Sequence, residues 1–148
     1  MTGSPVVIDA SIALRWLLPD RLNNACWALL DRTIQHGDVL TVPTLWVYEV
    51  VSGLTKAVQF GMVTPDEARQ GFDQIFSIGA NLTEPNETLS RRAFEWTLRL
   101  SCAAAYDSYY LALAETLSCP LWTADLRLFN ASRAAKLDWV YWLEDLQN

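Results

Sequence analysis

Four carboxylates stand where a chain of alternating strands and helices exposes its strand ends. Asp9 closes the apolar run Pro5-Val6-Val7-Ile8, and Asp125 follows Pro120-Leu121-Trp122-Thr123-Ala124. Asp107 falls in the first turn of the helix ahead of that second run, and Glu49 sits on the helix after Val39-Leu40-Thr41-Val42. Gathered at one place, such groups repel, and only proton uptake or a cation relieves them. An oxygen-only donor set suits Mg²⁺ or Mn²⁺ rather than zinc or copper. Ions held that way activate water and stabilise charge on a phosphodiester. Each residue also has a plainer use. Asp at a strand-to-helix junction is a good N-cap, so Asp9 or Asp125 alone reads as a cap. Asp107 complements a helix dipole. Glu49 has Leu45, Trp46, Ser52 and Gly53 as its helical neighbours and no cation among them; if buried, it needs water or a positive partner.

Other chemistries lose their support. His36 is the single histidine, so a zinc site with several His ligands is impossible. A Ser-His-Asp triad would have to use His36, which lies in His36-Gly37-Asp38 and reads as a helix end beside a turn. Cys26, Cys102 and Cys119 show no C-x-x-C spacing, and free buried thiols in a reducing compartment are expected. Neither G-x-G-x-x-G after the first strand nor G-x-x-x-x-G-K-[ST] occurs. With 148 residues, 51% apolar and 19% charged, the chain reads as one core-rich domain over 1–148. The N-terminus carries no basic n-region, and no stretch reaches membrane-span length, so a cytoplasmic protein is expected. Eleven Lys and Arg against 17 Asp and Glu leave a net charge of -6, which excludes a strongly basic coat for nucleic acid. Setting aside the four carboxylates leaves 13 acids against 11 bases, close to balance.

Positioning those carboxylates requires alternating elements, and the sequence supplies them. Strands are expected at 5–8, 39–42, 80–83, 120–123 and 139–142. Helices are expected at 10–18, 21–36, 44–60, from Pro65 to near Gly79, 86–100, 106–117 and 125–135. Thr64-Pro65-Asp66-Glu67 is a capping box with Pro at the first helical position. Spacing predicts Val47, Val50, Val51, Leu54 and Val58 on one inward face and Phe72, Ile75 and Phe76 on another. Trp139, Tyr141 and Trp142 crowd the last strand, whose edge needs cover. The class is a three-layer α/β/α fold with a central, mainly parallel sheet of four or five strands flanked by helices. Its ligand site lies outside the carboxyl ends of the strands, where strand order reverses. If the first and fourth strands are neighbours, Asp9 and Asp125 emerge side by side.

Four blocks resemble the PIN-domain pattern in order and spacing: Val7-Ile8-Asp9-Ala10-Ser11, Tyr48-Glu49-Val50-Val51-Ser52-Gly53-Leu54, Tyr106-Asp107-Ser108-Tyr109-Tyr110-Leu111-Ala112-Leu113-Ala114, and Leu121-Trp122-Thr123-Ala124-Asp125-Leu126-Arg127-Leu128. Within that family they look most like the VapC toxins of prokaryotic toxin–antitoxin pairs. The resemblance spans Val6 to about Leu143 and is weak from Gly61 to Leu100. It implies a metal-dependent endoribonuclease in which metal-activated water attacks an RNA phosphodiester. It implies Asp9, Glu49, Asp107 and Asp125 as the catalytic and metal-binding cluster for Mg²⁺ or Mn²⁺. Ser11 and Thr123 would be hydroxyls that orient carboxylates or water. It further implies a small antitoxin covering the site, and a homodimer.

RNA also needs a positive rim. Arg15, Arg21, Lys56, Arg127 and Arg133 are candidates, and a solvated surface charge is the simpler reading for all but Arg15 and Arg127. Tyr109 and Tyr110 are candidates for base stacking, although helical spacing puts Tyr110 with Asp107 and Leu111 and favours core packing for at least one. A PIN-fold module that binds RNA or protein without activity is the alternative, and the intact acidic set argues against it. A phosphoacceptor domain ranks last, because Lys136, the final lysine, precedes the last strand.

Overall fold

The structure, a computed structural model, describes residues 3–101 and 104–146, so Cys102 lies outside the described residues. The β-branched run at the start forms β1 (Pro5–Ile8), followed by α1 (Ala10–Leu17) and α2 (Asn23–Gln35). Next come β2 (Val39–Pro43), α3 (Leu45–Gln59), α4 (Pro65–Ser77) and β3 (Asn81–Thr83). The chain continues through α5 (Glu87–Leu100), α6 (Ala105–Leu117), β4 (Leu121–Thr123), α7 (Leu126–Ala134) and β5 (Val140–Trp142). All five strands are parallel, in the order β3-β2-β1-β4-β5. Central β1 needs apolar side chains on both faces, and Val6, Val7 and Ile8 are all buried.

Strand order fixes the layers. The connections from β1 through β2 to β3 run one way across the sheet, and those from β3 to β4 and β5 run the other. Right-handed crossovers therefore put α1 to α4 on one face and α5 to α7 on the opposite one. Packing agrees: α1 touches α2, α3 and α4, while α5 lies along α6 and α6 crosses β1 and β2.

Local signals act as the sequence predicts. The Thr64 hydroxyl accepts the Glu67 N–H, and the Glu67 carboxylate accepts the Thr64 N–H, both at 3.1 Å. Asn86 caps α5 through the Leu89 N–H at 2.7 Å. His36 ends α2, and Gly37 follows at φ 70°, a backbone state that suits glycine. Cys26 and Cys119 are free and buried, and burial pushes their thiols up to about 12 and about 11. Such thiols stay protonated and inert. No helix among the described residues is long and apolar enough to cross a membrane.

Two inward faces differ from the spacing prediction. On α3 the buried stripe is Trp46, Val50, Leu54 and Ala57, while Val51 is exposed. The cause is Gly53, where an added Cβ would come within 2.5 Å of the Leu14 methyls. Glycine lets α1 close on that side of α3, which turns Val51 outward. On α4 the inward residues are Ala68, Gly71 and Ile75, whereas Phe76 is exposed. Small residues let α4 sit close to Leu54 and Leu17, and Phe72 and Phe76 stack on each other at the margin, 6.3 Å apart. The aromatics near β5 find partners within the chain: Trp139 meets Trp96, Tyr141 stacks on Trp122 and Trp142 packs on Phe129.

Candidate active site

Strand order reverses between β1 and β4, with Ile8 opposite Trp122. Just beyond these strand ends the chain turns into a helix, at Asp9 after β1 and at Asp125 two residues after β4, and there the acids converge. Asp9 has extended backbone (φ -88°, ψ 175°) and caps α1, accepting the Ile12 N–H at 3.3 Å. The Ser11 hydroxyl donates to the same oxygen, Oδ1, at 2.5 Å, and the Thr123 hydroxyl donates to Oδ2. Those hydroxyls also accept: Ser11 takes the Ala124 N–H and Thr123 takes the Asp125 N–H, each at 2.9 Å. Two short side chains thus stitch the end of β1 to the end of β4 around one carboxylate. Asp9 is only 5% exposed. Burial pushes its carboxyl up to about 7; the three hydrogen bonds oppose this, and the charge of Asp125 adds to it.

Asp125 caps α7, its Oδ1 accepting the N–H groups of Arg127 at 3.0 Å and Leu128 at 3.4 Å. Asp107, in the first turn of α6, accepts the Ala104 N–H at 3.4 Å and lies 3.7 Å from the Arg127 guanidinium. Burial and then the charge of Asp125 push the Asp107 carboxyl up, against the Ala104 N–H and Arg127. Glu49 on α3 has a phenol for a partner: the Tyr110 hydroxyl donates to its Oε1 at 2.5 Å. Burial raises Glu49, the Tyr110 bond opposes this, and the charge of Asp107 raises it further.

All four carboxylates line one open cleft of about 360 Å³. Capping and lining do not compete here, because a cap commits carboxylate oxygens to backbone N–H groups without removing the group from the cleft wall. The lining contains no histidine or cysteine, so its donors are hard oxygens, suited to a divalent cation of the Mg²⁺ or Mn²⁺ kind. Charge points the same way, since Asp125 acts on Asp9 and Asp107, and Asp107 on Glu49. Among the described residues, no three His, Cys, Asp or Glu side chains already stand close enough to form one ion's shell. The donor chemistry therefore fits such an ion, while the side chains are spread around the cleft rather than drawn together.

Cations do gather at this cleft. Arg15 and Lys56 line it, and Arg127 stands at its mouth on Asp107. Arg21 lies in an adjoining depression that shares Ser11, Arg15 and Asp125 with the cleft, and it pairs with Glu144 at 3.3 Å. Arg133 sits over the Phe129 ring, outside the cleft lining. Tyr110 is 1% exposed and so offers no face for a base, while the Tyr109 hydroxyl donates to Ser90 at 3.0 Å. The exposed phenols near the acids are instead Tyr48 and Tyr106, the chain neighbours of Glu49 and Asp107. Sequence reasoning passed over them, although their adjacency to the acids was available as a signal.

Thr123 offers a direct test of the stitching. The Thr123→Val change keeps the shape but strands the Asp125 N–H and removes a donor from Asp9. At pH 7.5 it should cost ~2–4 kcal/mol. Thermal melts should show a smaller loss at pH 5, where Asp9 is protonated and needs the donor less.

Residues 6–134 match the PIN domain. Ribonuclease VapC9 of Mycobacterium tuberculosis is 36% identical over 129 residues, which cover 87% of this chain and 92% of that protein. Among solved structures, PAE2754 from Pyrobaculum aerophilum superposes with a TM-score of 0.70 at 21% identity, over 99% of this chain and 90% of that one. VapBC2 from Rickettsia felis, bound to a DNA fragment from its promoter, gives 0.68 at 10% identity, over 93% and 96%. At those identities the likeness to the solved structures is one of fold. Both the match over most of its length and the sequence relative make this chain a member of the PIN-domain family, alongside the VapC ribonucleases.

Proposed function

We propose that this protein is an endoribonuclease that hydrolyses RNA phosphodiester bonds with the help of Mg²⁺ or Mn²⁺, as the toxin of a toxin–antitoxin pair. The carrying observation is the one cleft that Asp9, Glu49, Asp107 and Asp125 line in a PIN-domain chain, where burial and then neighbouring acidic charge raise the carboxyls of Asp9, Glu49 and Asp107. These four side chains would hold the divalent ion. Bound there, it would supply a Lewis acid and a more acidic water at the scissile phosphate.

The chain's own residues do the rest. Ser11 and Thr123 fix both oxygens of Asp9, so one donor group is oriented before anything binds. Asp125 and Asp107 are held by backbone N–H groups at two helix starts. Arg15 and Lys56 place positive charge beside the acids, where the flanking phosphates of an RNA strand would lie. Lys56 makes no ion pair among the described residues, and the Arg15 Nε is buried without a hydrogen-bond partner, 3.8 Å from Asp20. Arg127 balances Asp107 at the mouth and is mostly exposed, free to turn toward phosphate.

A cognate antitoxin fits this reading, as does a homodimer in the cytoplasm. VapBC2, which shares the fold, is bound to a DNA fragment from its promoter. An acidic cleft with a basic rim would suit an antitoxin segment that places a cation among the carboxylates.

Cleavage of an end-labelled RNA with Mn²⁺, and its loss with chelator, tests the activity. The Arg15→Gln and Lys56→Gln variants test the rim. Each should raise KM with little change in kcat, and each should lower the slope of log KM against log salt by ~0.7 per lost phosphate contact. Unchanged slopes would remove both from the substrate path.

A further inference from the structure

Tyr110 is a buried phenol whose ring needs no hydroxyl to pack. It lies on α6 among Leu111, Leu113 and Ala114, and is 1% exposed. Its hydroxyl donates at 2.5 Å to Glu49 Oε1, on a helix 61 residues away in sequence. Burying a hydroxyl costs free energy unless it is bonded, and here the bond goes to a carboxylate of the acidic cleft. Glu49 is only half-buried, has no cation within one turn of it on α3, and makes no ion pair among the described residues, Lys56 lying two turns further on. A glutamate has three side-chain torsions, so an untethered Glu49 would sample the cleft and the solvent alike.

We infer that Tyr110 is a positioning residue, which holds the Glu49 carboxylate in the cleft for the divalent ion through its hydroxyl. The inference rests on the nuclease reading above. Asp107 and Tyr110 lie one helical turn apart on α6, so one turn supplies a carboxylate and the clamp for a second one from α3. The cleft thereby gains a link between the opposite faces of the sheet, because α3 and α6 lie in different layers.

The test uses the full-length protein and Mn²⁺ alone as the probe. Calorimetry should show Mn²⁺ binding about tenfold weaker in Tyr110→Phe than in wild type, the low end for loss of an outer-shell partner. Thermal melting without metal should change little, because the ring still fills its place. On RNA, kcat should fall with KM unchanged. In a Glu49→Gln background the added Tyr110→Phe change should have no further effect on Mn²⁺ binding. Equal Mn²⁺ affinity in Tyr110→Phe and wild type would overturn the inference, as would an undiminished loss in the Glu49→Gln background. Wild-type protein that neither binds Mn²⁺ nor cleaves RNA would overturn the nuclease reading itself, which separates the two failures.

Discussion

Asp9→Asn should leave a protein that melts higher than wild type at pH 7.5 and no longer cleaves RNA. A simple structural cap would not give that pair of results. The carboxyl of Asp9 titrates near 7 in the folded chain against an ordinary value of 3.8, mainly because it is buried. Between those values the folded state binds a proton that the unfolded state has released, so stability falls as pH rises. At pH 7.5 the folded protein carries the whole penalty of a buried, deprotonated carboxylate. Asparagine removes the charge while keeping an acceptor for Ser11 and Ile12. The gain should be ~1–3 kcal/mol, or roughly 3–9 °C in Tm. Activity should fall by at least ~10³-fold, since several kcal/mol of charge stabilisation depend on that carboxylate. Stability is being spent at this residue, and a functional site is where such a cost is tolerated.

The second large effect is a pH-dependent response to metal. Without added ion, wild type should be most stable on the acid side, near pH 5, and should lose stability toward pH 7.5. Glu49 and Asp107 work in the same direction, because their carboxyls are also raised. Mn²⁺ must displace the proton from Asp9 to bind, so its affinity should rise with pH. At pH 7.5, Mn²⁺ at a hundred times its Kd should stabilise the fold by ~2.7 kcal/mol. At pH 5.5 only about one Asp9 in thirty is ionised, and the same Mn²⁺ concentration should then give less than ~1 kcal/mol. Melting curves across this range, with and without Mn²⁺, measure both slopes. Equal Mn²⁺ shifts at the two pH values would mean that Asp9 is not among the groups that receive the ion.

Much of this site was legible because its signals are local. A β-branched run followed by Asp-Ala-Ser can only be a strand turning into a capped helix, so Asp9 was placed within a residue. The same holds for Asp125 after Leu121-Trp122-Thr123. Alternating elements and crossover handedness permitted β1 and β4 as neighbours without requiring it, and the parallel pairing of Ile8 with Trp122 supplies the answer. Long-range packing was less accessible. Helical spacing on α3 put Val51 on the inward face with Val50 and Leu54, whereas the close approach of Leu14 to Gly53 lies on the side of Trp46 and Ala57. Phe76 was assigned inward with Phe72 and Ile75 by spacing, whereas Ala68 and Gly71 are the residues small enough for the contact α4 makes. Base stacking was assigned to Tyr110 as a candidate, but its hydroxyl bonds Glu49 across the sheet, a pairing with no trace in spacing.

The charge balance also changes meaning once the chain is folded. A net charge of -6 excludes a protein that coats nucleic acid, and it does so still. Its distribution is what allows one that cuts it. The acids meet in one cleft, and Arg15, Lys56 and Arg127 stand around the same cleft rather than scattering over the surface.

On this reading, the cleft cleaves RNA with a divalent ion. The most direct test is cleavage of one defined, end-labelled RNA in Mn²⁺ by wild type, Asp9→Asn and Asp107→Asn, each first shown to be folded by thermal melting. Internal cleavage by wild type, abolished by chelator and by either substitution, is the predicted result. Cleavage by Asp9→Asn and Asp107→Asn at the wild-type rate would mean that these carboxylates do not serve the reaction.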